Sequence, residues 1–421
     1  QKMWISNAGF ADLFIVFAKI EDDKNLTAFI VEKTFGGITM NEEEKKLGIK
    51  GSSTRQVFFN DCPVPVENML SERGNGFKIA VNILNIGRVK LGAGVLGGCR
   101  TVISHATQYA NERKQFGVSI SSFGAIKGKL AEMATKTYVT ESLDYRAGQN
   151  IEDKINDLIA GGMDEAKAKL KGVEQFAIEC AIAKIHSSEV LDYVVDQGVQ
   201  VYGGMGYSAD APMERAYRDA RIARIYEGTN EINRMLMIGM LLKRAMKGEL
   251  NMFEPAMAVS KELVSVPSFT TIDKSVLFNA EKEVVKNLKK VFLMVGGKAA
   301  MALQDKIEDE QEVMMNLADI LIEIYAVESS MLRTEKLVSQ RGEEACKDYI
   351  AMTQIYMAEA IDRVNAAAKE AIASFTKGDE QKVMLMGLKR FTKMDLVNTK
   401  ELRRQVADTM IAKGKFPYYF A

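Results

Sequence analysis

A carboxylate beside a glycine and a threonine is the most reactive arrangement in this sequence. It lies in residues 224–234, RIYEGTNEINR, where Glu227 comes directly before Gly228 and Thr229 at a predicted helix start. Gly228 lets the backbone turn tightly and bring its N–H groups close to a ligand, and Thr229 can cap the helix that follows. A carboxylate held there could act as a base. On spacing alone, an ordinary capped surface helix is the commoner explanation, because capping boxes are frequent.

Three further motifs shift that balance. A glycine-rich turn precedes the Glu227 run, and its exposed backbone N–H groups would suit a phosphate. The turn contains Gln200, Gly203, Gly204 and Gly206. The segment ERKQFG, residues 112–117, closes a long amphipathic helix, and KMWISNAGFADLFIVFAK opens the chain with its only tryptophan. In this order, and along nearly the whole chain, the four motifs resemble the acyl-CoA dehydrogenase family. The resemblance is closer to its long-chain and very-long-chain members, which carry an extra C-terminal helical domain.

The resemblance implies a flavoenzyme that removes a proton from C2 and a hydride from C3 of a fatty acyl-CoA thioester. FAD is the implied cofactor, because no side chain accepts a hydride. Glu227 is the implied base, and its backbone N–H is one implied donor to the thioester oxygen, with a flavin ribityl hydroxyl as the other. Asn85, Arg88, Tyr226 and Gly228 match positions that border the substrate.

The resemblance also implies where FAD is held. The positions that match the family's cofactor contacts are Trp4, Ser6, Arg113, Phe116, Gln200, Gly203, Gly204, Thr229 and Glu231. Arg113, Phe116 and the glycine-rich turn would reach the FAD of a partner subunit, so a complete site would need an oligomer. Outside this context, a lone tryptophan is more often a core residue. A basic pair at a helix end more often satisfies terminal carbonyls.

Apolar periodicity divides the chain into a short sheet and long helices. Residues 13–20, 26–32 and 56–60 are apolar or β-branched runs that predict antiparallel strands. After Pro65 the spacing becomes helical and stays so to the end. The predicted fold class is therefore mainly α with a small antiparallel β portion. The predicted units are a partial β-domain at 1–70, a catalytic helical bundle at 71–250, a linker at 251–272 and an additional helical domain at 273–421.

The last helical block repeats part of the first. A shift of 187 positions aligns LAEMATKTYVTESLDYRA, residues 130–147, with LADILIEIYAVESSMLRT, residues 317–334. We interpret this as an internal duplication of a helical bundle, although two amphipathic helices can also match by chance. Shorter family members hold the adenine end of FAD with a glutamine six residues before the LAEM leucine. Gly124 stands there in this chain, and Gln311 holds the equivalent place in the second copy. The implied assembly is a homodimer in which the C-terminal domain replaces a second dimer and supplies Gln311.

Bulk composition excludes several classes of function. The 421 residues carry 56 basic and 56 acidic side chains, so no global field favours nucleic acid. The four cysteines are scattered and only two histidines occur, so we expect no metal site and a reducing compartment. We find no uninterrupted apolar run of about 18 residues that would span a membrane. A cytoplasmic location is expected, or the mitochondrial matrix in a eukaryote.

Membrane docking and the electron acceptor stay open at this stage. Extended relatives can dock on a membrane through the segment between their helical domains, and residues 251–271 occupy that place. Two prolines and few basic residues make an ordinary linker at least as good an interpretation. The resemblance implies an electron-transfer flavoprotein as oxidant. An acyl-CoA oxidase and a non-catalytic scaffold for the assembly of respiratory complexes are the alternatives.

The family normally begins with a helical domain and the first part of the sheet. These parts supply one wall of the flavin and acyl pockets, and the sequence opens after both. We therefore expect this chain by itself to retain FAD weakly.

Overall fold

A computed structural model describes residues 1–265, 272–273 and 275–419. Its first 70 residues form two small antiparallel sheets. The strands are β1 (Lys2–Ser6), β2 (Leu13–Ala18), β3 (Thr27–Glu32), β4 (Ile38–Met40), β5 (Thr54–Phe59) and β6 (Met69–Leu70). One sheet has the order β1-β5-β4 and the other β2-β3-β6. Alternating apolar residues bury Phe14, Val31 and Val57 in a core between them. The three strands expected from the sequence are therefore confirmed as β2, β3 and β5, shifted at their ends by one or two residues.

A first helical bundle follows. Its long helices are α1 (Gly76–Glu112), α2 (Gly124–Ala160), α3 (Glu165–Gln175) and α4 (Ala177–Tyr202), with a short hairpin of β7 (Lys114–Gln115) and β8 (Val118–Ser119) after α1. The shorter helices are α5 (Gly204–Tyr207), α6 (Pro212–Ala220) and α7 (Asn230–Met246). Helices α1 and α4 approach closely because Gly198 faces Val102, where a Cβ on the glycine would lie 2.7 Å from the valine Cγ1.

A second bundle completes the chain. It contains α8 (Phe253–Leu263), α9 (Asn279–Leu303), α10 (Gln311–Arg341), α11 (Lys347–Phe375), α12 (Gly378–Phe391) and α13 (Thr399–Lys413). The segment expected to link the bundles thus contains helix α8, whose Val259 is buried, while residues 266–271 lie outside the described residues. Lys290 and Arg390 both pair with Glu262, at 2.9 and 3.2 Å, and fasten α8 to α9 and α12.

The two bundles meet through α2 and α10, which contain the repeated sequences. Arg146 on α2 pairs with Glu328 on α10 at 3.0 Å, and Arg333 on α10 pairs with Glu141 on α2 at 2.9 Å. Adding 187 to the numbers of Glu141 and Arg146 gives Glu328 and Arg333, so the repeat found in the sequence converts each ion pair into the other. Each arginine also lies over the tyrosine at the equivalent place, Arg146 over Tyr325 at 4.7 Å and Arg333 over Tyr138 at 4.4 Å. The interface therefore has the reciprocal contacts of two like subunits related by a two-fold axis.

Helix α1 corrects one expectation from the sequence. We expected no segment long and apolar enough to cross a membrane, but an 18-residue window of this helix reaches a mean hydropathy of 1.4. Glycines and basic residues interrupt the apolar residues of this window, so a search for uninterrupted apolar runs does not detect it. By length and composition alone this is weak evidence, since core helices of soluble proteins pass the same test; 28% of the window is buried.

Candidate active site

The Glu227 turn has an unusual backbone. Glu227 has φ of +59° and Gly228 has φ of +82°, so two consecutive residues are left-handed. A side chain other than glycine is uncommon in this region, which is often found at functional sites. Arg88 Nε donates to the Glu227 carbonyl at 3.2 Å, and Asn233 Nδ2 donates to the Gly228 carbonyl at 2.8 Å. The surrounding helices therefore hold the turn in its strained form.

The Glu227 carboxylate is half-buried against the N-terminal half of α1. A Cβ placed on Gly87 would lie 2.6 Å from Glu227 Oε2, so only glycine leaves room for the acid there. The carboxylate lines a cavity of about 640 Å³ between α1, α4 and α6. Apolar side chains form much of its wall, including Leu91, Val95, Val102, Leu191 and Val195. The cavity is mostly apolar, and Glu227 is one of the two acids that line it.

A hydrogen-bond donor is available beside this acid. Within the described part of the chain, the N–H of Glu227 donates to no protein acceptor. Tyr226 lines the same cavity, and burial, followed by the charge of Glu227, raises the pKa of its phenol. Asp219, also on the wall, accepts from the Ile49 N–H at 2.5 Å and ties the sheet to α6.

The residues matched to substrate positions come together here. Arg88 and Asn85 are buried on α1, and Arg88 Nη1 donates to Asn85 Oδ1 at 3.0 Å. Burial is the main cause that lowers the pKa of Arg88. Tyr226 and Gly228 lie on either side of Glu227 in the turn. The structure thus brings Asn85, Arg88, Tyr226, Glu227 and Gly228 into one site.

Thr229 and Glu231 begin the helix that carries this turn. Thr229 is the N-cap of α7, and its hydroxyl accepts from the Ile232 N–H at 3.2 Å, as the sequence predicts. Hydrogen bonds from its own backbone N–H and from Thr229 lower the pKa of Glu231. The start of α7 therefore holds polar groups close to Glu227.

A second group of predicted residues lies at the other end of α1 and α4. Arg113 follows the last residue of α1, roughly 39 Å along the helix axis from Gly87. Gln200, Gly203 and Gly204 lie at the end of α4, joined to α1 by a Tyr109–Tyr202 stack with centroids 4.1 Å apart. Phe116, on the β7–β8 hairpin, is 92% exposed. Within one chain these residues are separated from Glu227 by the length of the bundle.

Three predicted cofactor contacts belong to neither group. Trp4 and Ser6 are exposed on the edge strand β1, and Trp4 has φ of +60° beside an irregularity in the β1–β5 register. Gln311 is the exposed first residue of α10. The structure of one chain leaves their part in FAD binding a prediction.

Sequence reasoning missed three residues that build the site. Lys184 is fully buried on α4, and its Nζ donates to the Gly228 carbonyl at 2.8 Å. Asn233 donates to the same carbonyl, and Gly87 has no side chain that would collide with the Glu227 carboxylate. A lysine inside the apolar run AIAKIH was the one available signal, since a buried lysine requires a partner. Among the described residues, no group of histidine, cysteine and acidic side chains could hold a metal ion.

Comparisons with known proteins agree with this geometry. Residues 1–62 match the family model for the acyl-CoA dehydrogenase middle domain. Residues 74–242 and residues 287–390 each match a model for an acyl-CoA dehydrogenase C-terminal domain. A probable acyl-CoA dehydrogenase of Bacillus subtilis is 41% identical over 99% of this chain and 70% of its own length.

Two further relatives extend the comparison. The mitochondrial very long-chain specific acyl-CoA dehydrogenase of Rattus norvegicus is 34% identical over 94% of this chain and 61% of its own length. A crystal structure of an acyl-CoA dehydrogenase complexed with FAD from Bacillus anthracis superposes with a TM-score of 0.94 at 42% identity, covering 99% of this chain and 70% of that one. The chain therefore spans between about six and seven tenths of these relatives. It belongs to the acyl-CoA dehydrogenase family, as its motifs indicated.

Proposed function

We propose that this chain carries the catalytic base and the acyl channel of an FAD-dependent dehydrogenase of fatty acyl-CoA thioesters. The observation that supports this most directly is the position of Glu227. A single acid in a left-handed turn faces a mostly apolar cavity of about 640 Å³, with an unused N–H at the same residue. Enzymes of this family use FAD, and the Bacillus anthracis relative was crystallised with it.

The chain's own groups provide the proton chemistry. The Glu227 carboxylate would take the C2 proton, and its backbone N–H would donate to the thioester oxygen as negative charge develops there. Arg88, whose guanidinium also donates to Asn85, donates to the Glu227 carbonyl and so holds the peptide group that joins Glu227 to Gly228. When bound, FAD supplies the acceptor for the C3 hydride.

The residues at the far end of α1 fit a diphosphate. Gly203, at the end of α4, has φ of +59° with open space around its Cβ position, and Arg113, at the end of α1, is exposed. Exposed backbone N–H groups and a guanidinium are suitable ligands for phosphate oxygens. Because these groups lie roughly 39 Å from the base, we assign them to the FAD of the partner subunit in a homodimer. Thr229, Glu231, Trp4, Ser6 and Gln311 complete the proposed cofactor contacts.

The substrate range and the physiological setting are part of the same proposal. The likeness to a very long-chain enzyme and the apolar channel support long acyl chains. An electron-transfer flavoprotein is the proposed oxidant, and the cytoplasm, or the mitochondrial matrix in a eukaryote, the proposed location.

Glu227→Gln tests the proposed base in the FAD-loaded enzyme. We expect anaerobic flavin reduction by acyl-CoA to slow by about 100- to 10,000-fold, because removal of the C2 proton loses its acceptor. Glu165→Gln removes the same charge from the exposed surface of α3 and should keep the parent rate. Stopped-flow absorbance of the flavin, with a series of acyl-chain lengths, measures both. Parent-like rates in Glu227→Gln would reject the assignment, and peroxide formed during turnover would favour an oxidase.

A further inference from the structure

A fully buried lysine supports the turn that carries the proposed base. Lys184, on α4, donates to the Gly228 carbonyl at 2.8 Å and to Asn230 Oδ1 at 2.6 Å. Burial, followed by the nearby charge of Arg88, lowers the pKa of its ammonium to about 8. Burying an ammonium group is unfavourable unless it is well bonded. Its two close acceptors, both at the base turn, compensate for this burial.

These bonds determine which way the turn's peptide groups face. The carbonyls of Glu227 and Gly228 point into the bundle, where they accept from Arg88, Asn233 and Lys184. In a trans peptide the N–H points away from the carbonyl. The N–H groups of Gly228 and Thr229 are therefore turned away from these inner donors. Lys184 thus helps to fix both the left-handed turn and the direction of its donors.

The same network continues into the second bundle. Asn230 Nδ2 donates to Glu189 Oε1 at 3.0 Å, and Arg234 binds both oxygens of that carboxylate at 2.8 and 3.1 Å. Arg234 Nε then donates to Asp319 Oδ1 at 2.7 Å. Asp319 lies on α10, in the C-terminal bundle. An unbroken series of hydrogen bonds therefore joins α10 to the residue after the base.

We propose that Lys184, Asn230, Glu189, Arg234 and Asp319 form a positioning relay through which the C-terminal bundle fixes the turn bearing Glu227. The proposal rests on the function proposed for Glu227. None of the five touches substrate or flavin in this assignment. They act by holding a strained turn in its reactive geometry, and the extra bundle thereby becomes part of the active-site support.

A matched control exists in the same interface. Arg146–Glu328 also joins the two bundles, but it lies between α2 and α10 and does not contact the turn. Asp319→Asn and Glu328→Gln each remove one carboxylate from the interface between the bundles. A purely structural role predicts the same effect for both, while the relay predicts a kinetic effect for Asp319→Asn alone.

The test uses the FAD-loaded enzyme with a saturating long-chain acyl-CoA. Misplacing a reacting group by about 1 Å can slow a reaction about 100-fold, so we expect about that loss for Lys184→Met and about tenfold for Asp319→Asn. KM should change by less than about threefold, since the substrate contacts remain. The primary isotope effect with substrate deuterated at C2 should rise in both variants, because proton removal becomes more rate-limiting. Glu328→Gln should keep the parent rate and isotope effect.

Each outcome decides between the two proposals. Parent-like flavin reduction in both Lys184→Met and Asp319→Asn, with Glu227→Gln inactive, overturns the relay and leaves the proposed base intact. Equal losses in Asp319→Asn and Glu328→Gln also overturn it, as a general interface effect. Parent-like activity of Glu227→Gln overturns the function first. Should Asp319→Asn fail to fold, Arg234→Lys keeps the charge and loses the two-pronged bond to Glu189, and the relay predicts the same rise in the isotope effect.

Discussion

At the scale of single residues, the site depends on backbone conformation as much as on side-chain chemistry. Glu227 is an ordinary acid by type, and it combines a left-handed backbone with a carboxylate that lies against Gly87 of α1. Gly87 is the necessary counterpart, since a side chain there would occupy the space of the carboxylate. The missing side chain at Gly87 thus leaves the space on α1 that the Glu227 carboxylate fills.

Gly87→Ala tests this fit. Its Cβ would lie 2.6 Å from Glu227 Oε2, so the carboxylate must move. We expect the limiting rate of flavin reduction to fall by about 10- to 100-fold with bound FAD unchanged. Gly97→Ala is the control, because no atom lies within 4 Å of its added Cβ and the gain in helix propensity is the same. Equal rates in the two variants would show that the carboxylate has room to spare.

At the scale of elements, α1 forms part of the cavity wall and α7 fixes the turn that carries Glu227. Helix α1 presents Gly87 and Arg88 in its N-terminal half, lines the cavity from Gly87 to Val102 and ends at Glu112, next to Arg113. Helix α7 begins at Asn230, three residues after the proposed base, so its first turn helps to determine where Glu227 lies. The cap on Thr229 is what stops the helix from fraying into the turn.

Thr229→Ala removes that cap. The Ile232 N–H loses its acceptor, and we expect the free energy of unfolding, without added FAD, to fall by about 1 kcal/mol. Thr229→Ser keeps the hydroxyl and should lose only a few tenths of a kcal/mol, roughly. Urea titrations followed by circular dichroism compare the two. If serine and alanine are equally destabilising, the lost methyl group and not the cap explains the effect.

At the scale of the whole molecule, the second bundle packs against the first through reciprocal contacts of the kind that two like subunits make. The reciprocal pairs Arg146–Glu328 and Arg333–Glu141 give the interface its two-fold character within one chain. The copies have diverged in burial, because Glu141 is fully buried between Arg333 and Arg100 whereas Glu328 keeps some exposure. Such an interface fixes the bundles as one body, which a relay from α10 to the base requires.

His186 makes this assembly sensitive to acid. It is buried on α4, where Nδ1 lies 3.1 Å from Thr140 Oγ1 on α2 and Nε2 lies 2.8 Å from Tyr356 Oη on α11. Burial lowers its pKa from the usual 6.5 to about 3. Between these values the unfolded chain binds a proton that the folded chain does not, so stability is present above pH 6.5 and is lost as the pH falls.

His186→Gln should weaken that dependence. We expect the parent to lose roughly 1 kcal/mol more than the variant for each pH unit below 6.5, because the variant has no imidazole to protonate. Denaturant midpoints measured from pH 7.5 down to pH 4.5 test this. If the denaturant midpoints of parent and variant fall equally with pH, the imidazole is protonated in the folded state as well.

The sequence predicted the fold class and most of the base site. Strands β2, β3 and β5, the cap at Thr229 and the gathering of Asn85, Arg88, Tyr226 and Gly228 around Glu227 follow from local patterns and from the family motifs. Local patterns suffice for the strands and the cap because alternation and capping act over a few residues. The gathering of Asn85 and Arg88 around Glu227 was predicted from the family motifs alone. The hydropathy of α1 was missed because its apolar residues are interrupted by glycine and lysine.

What the sequence indicated by itself is therefore the position of the proposed base, the cap of its helix and the repeated helical segment. Only the tertiary structure decided that Gly87 makes room for the acid, that Lys184 lies beneath its turn and that Asp319 reaches it through Arg234 and Glu189. These contacts join residues between 44 and 140 positions apart along the chain, and no local pattern encodes such pairs because they form only when separate helices pack.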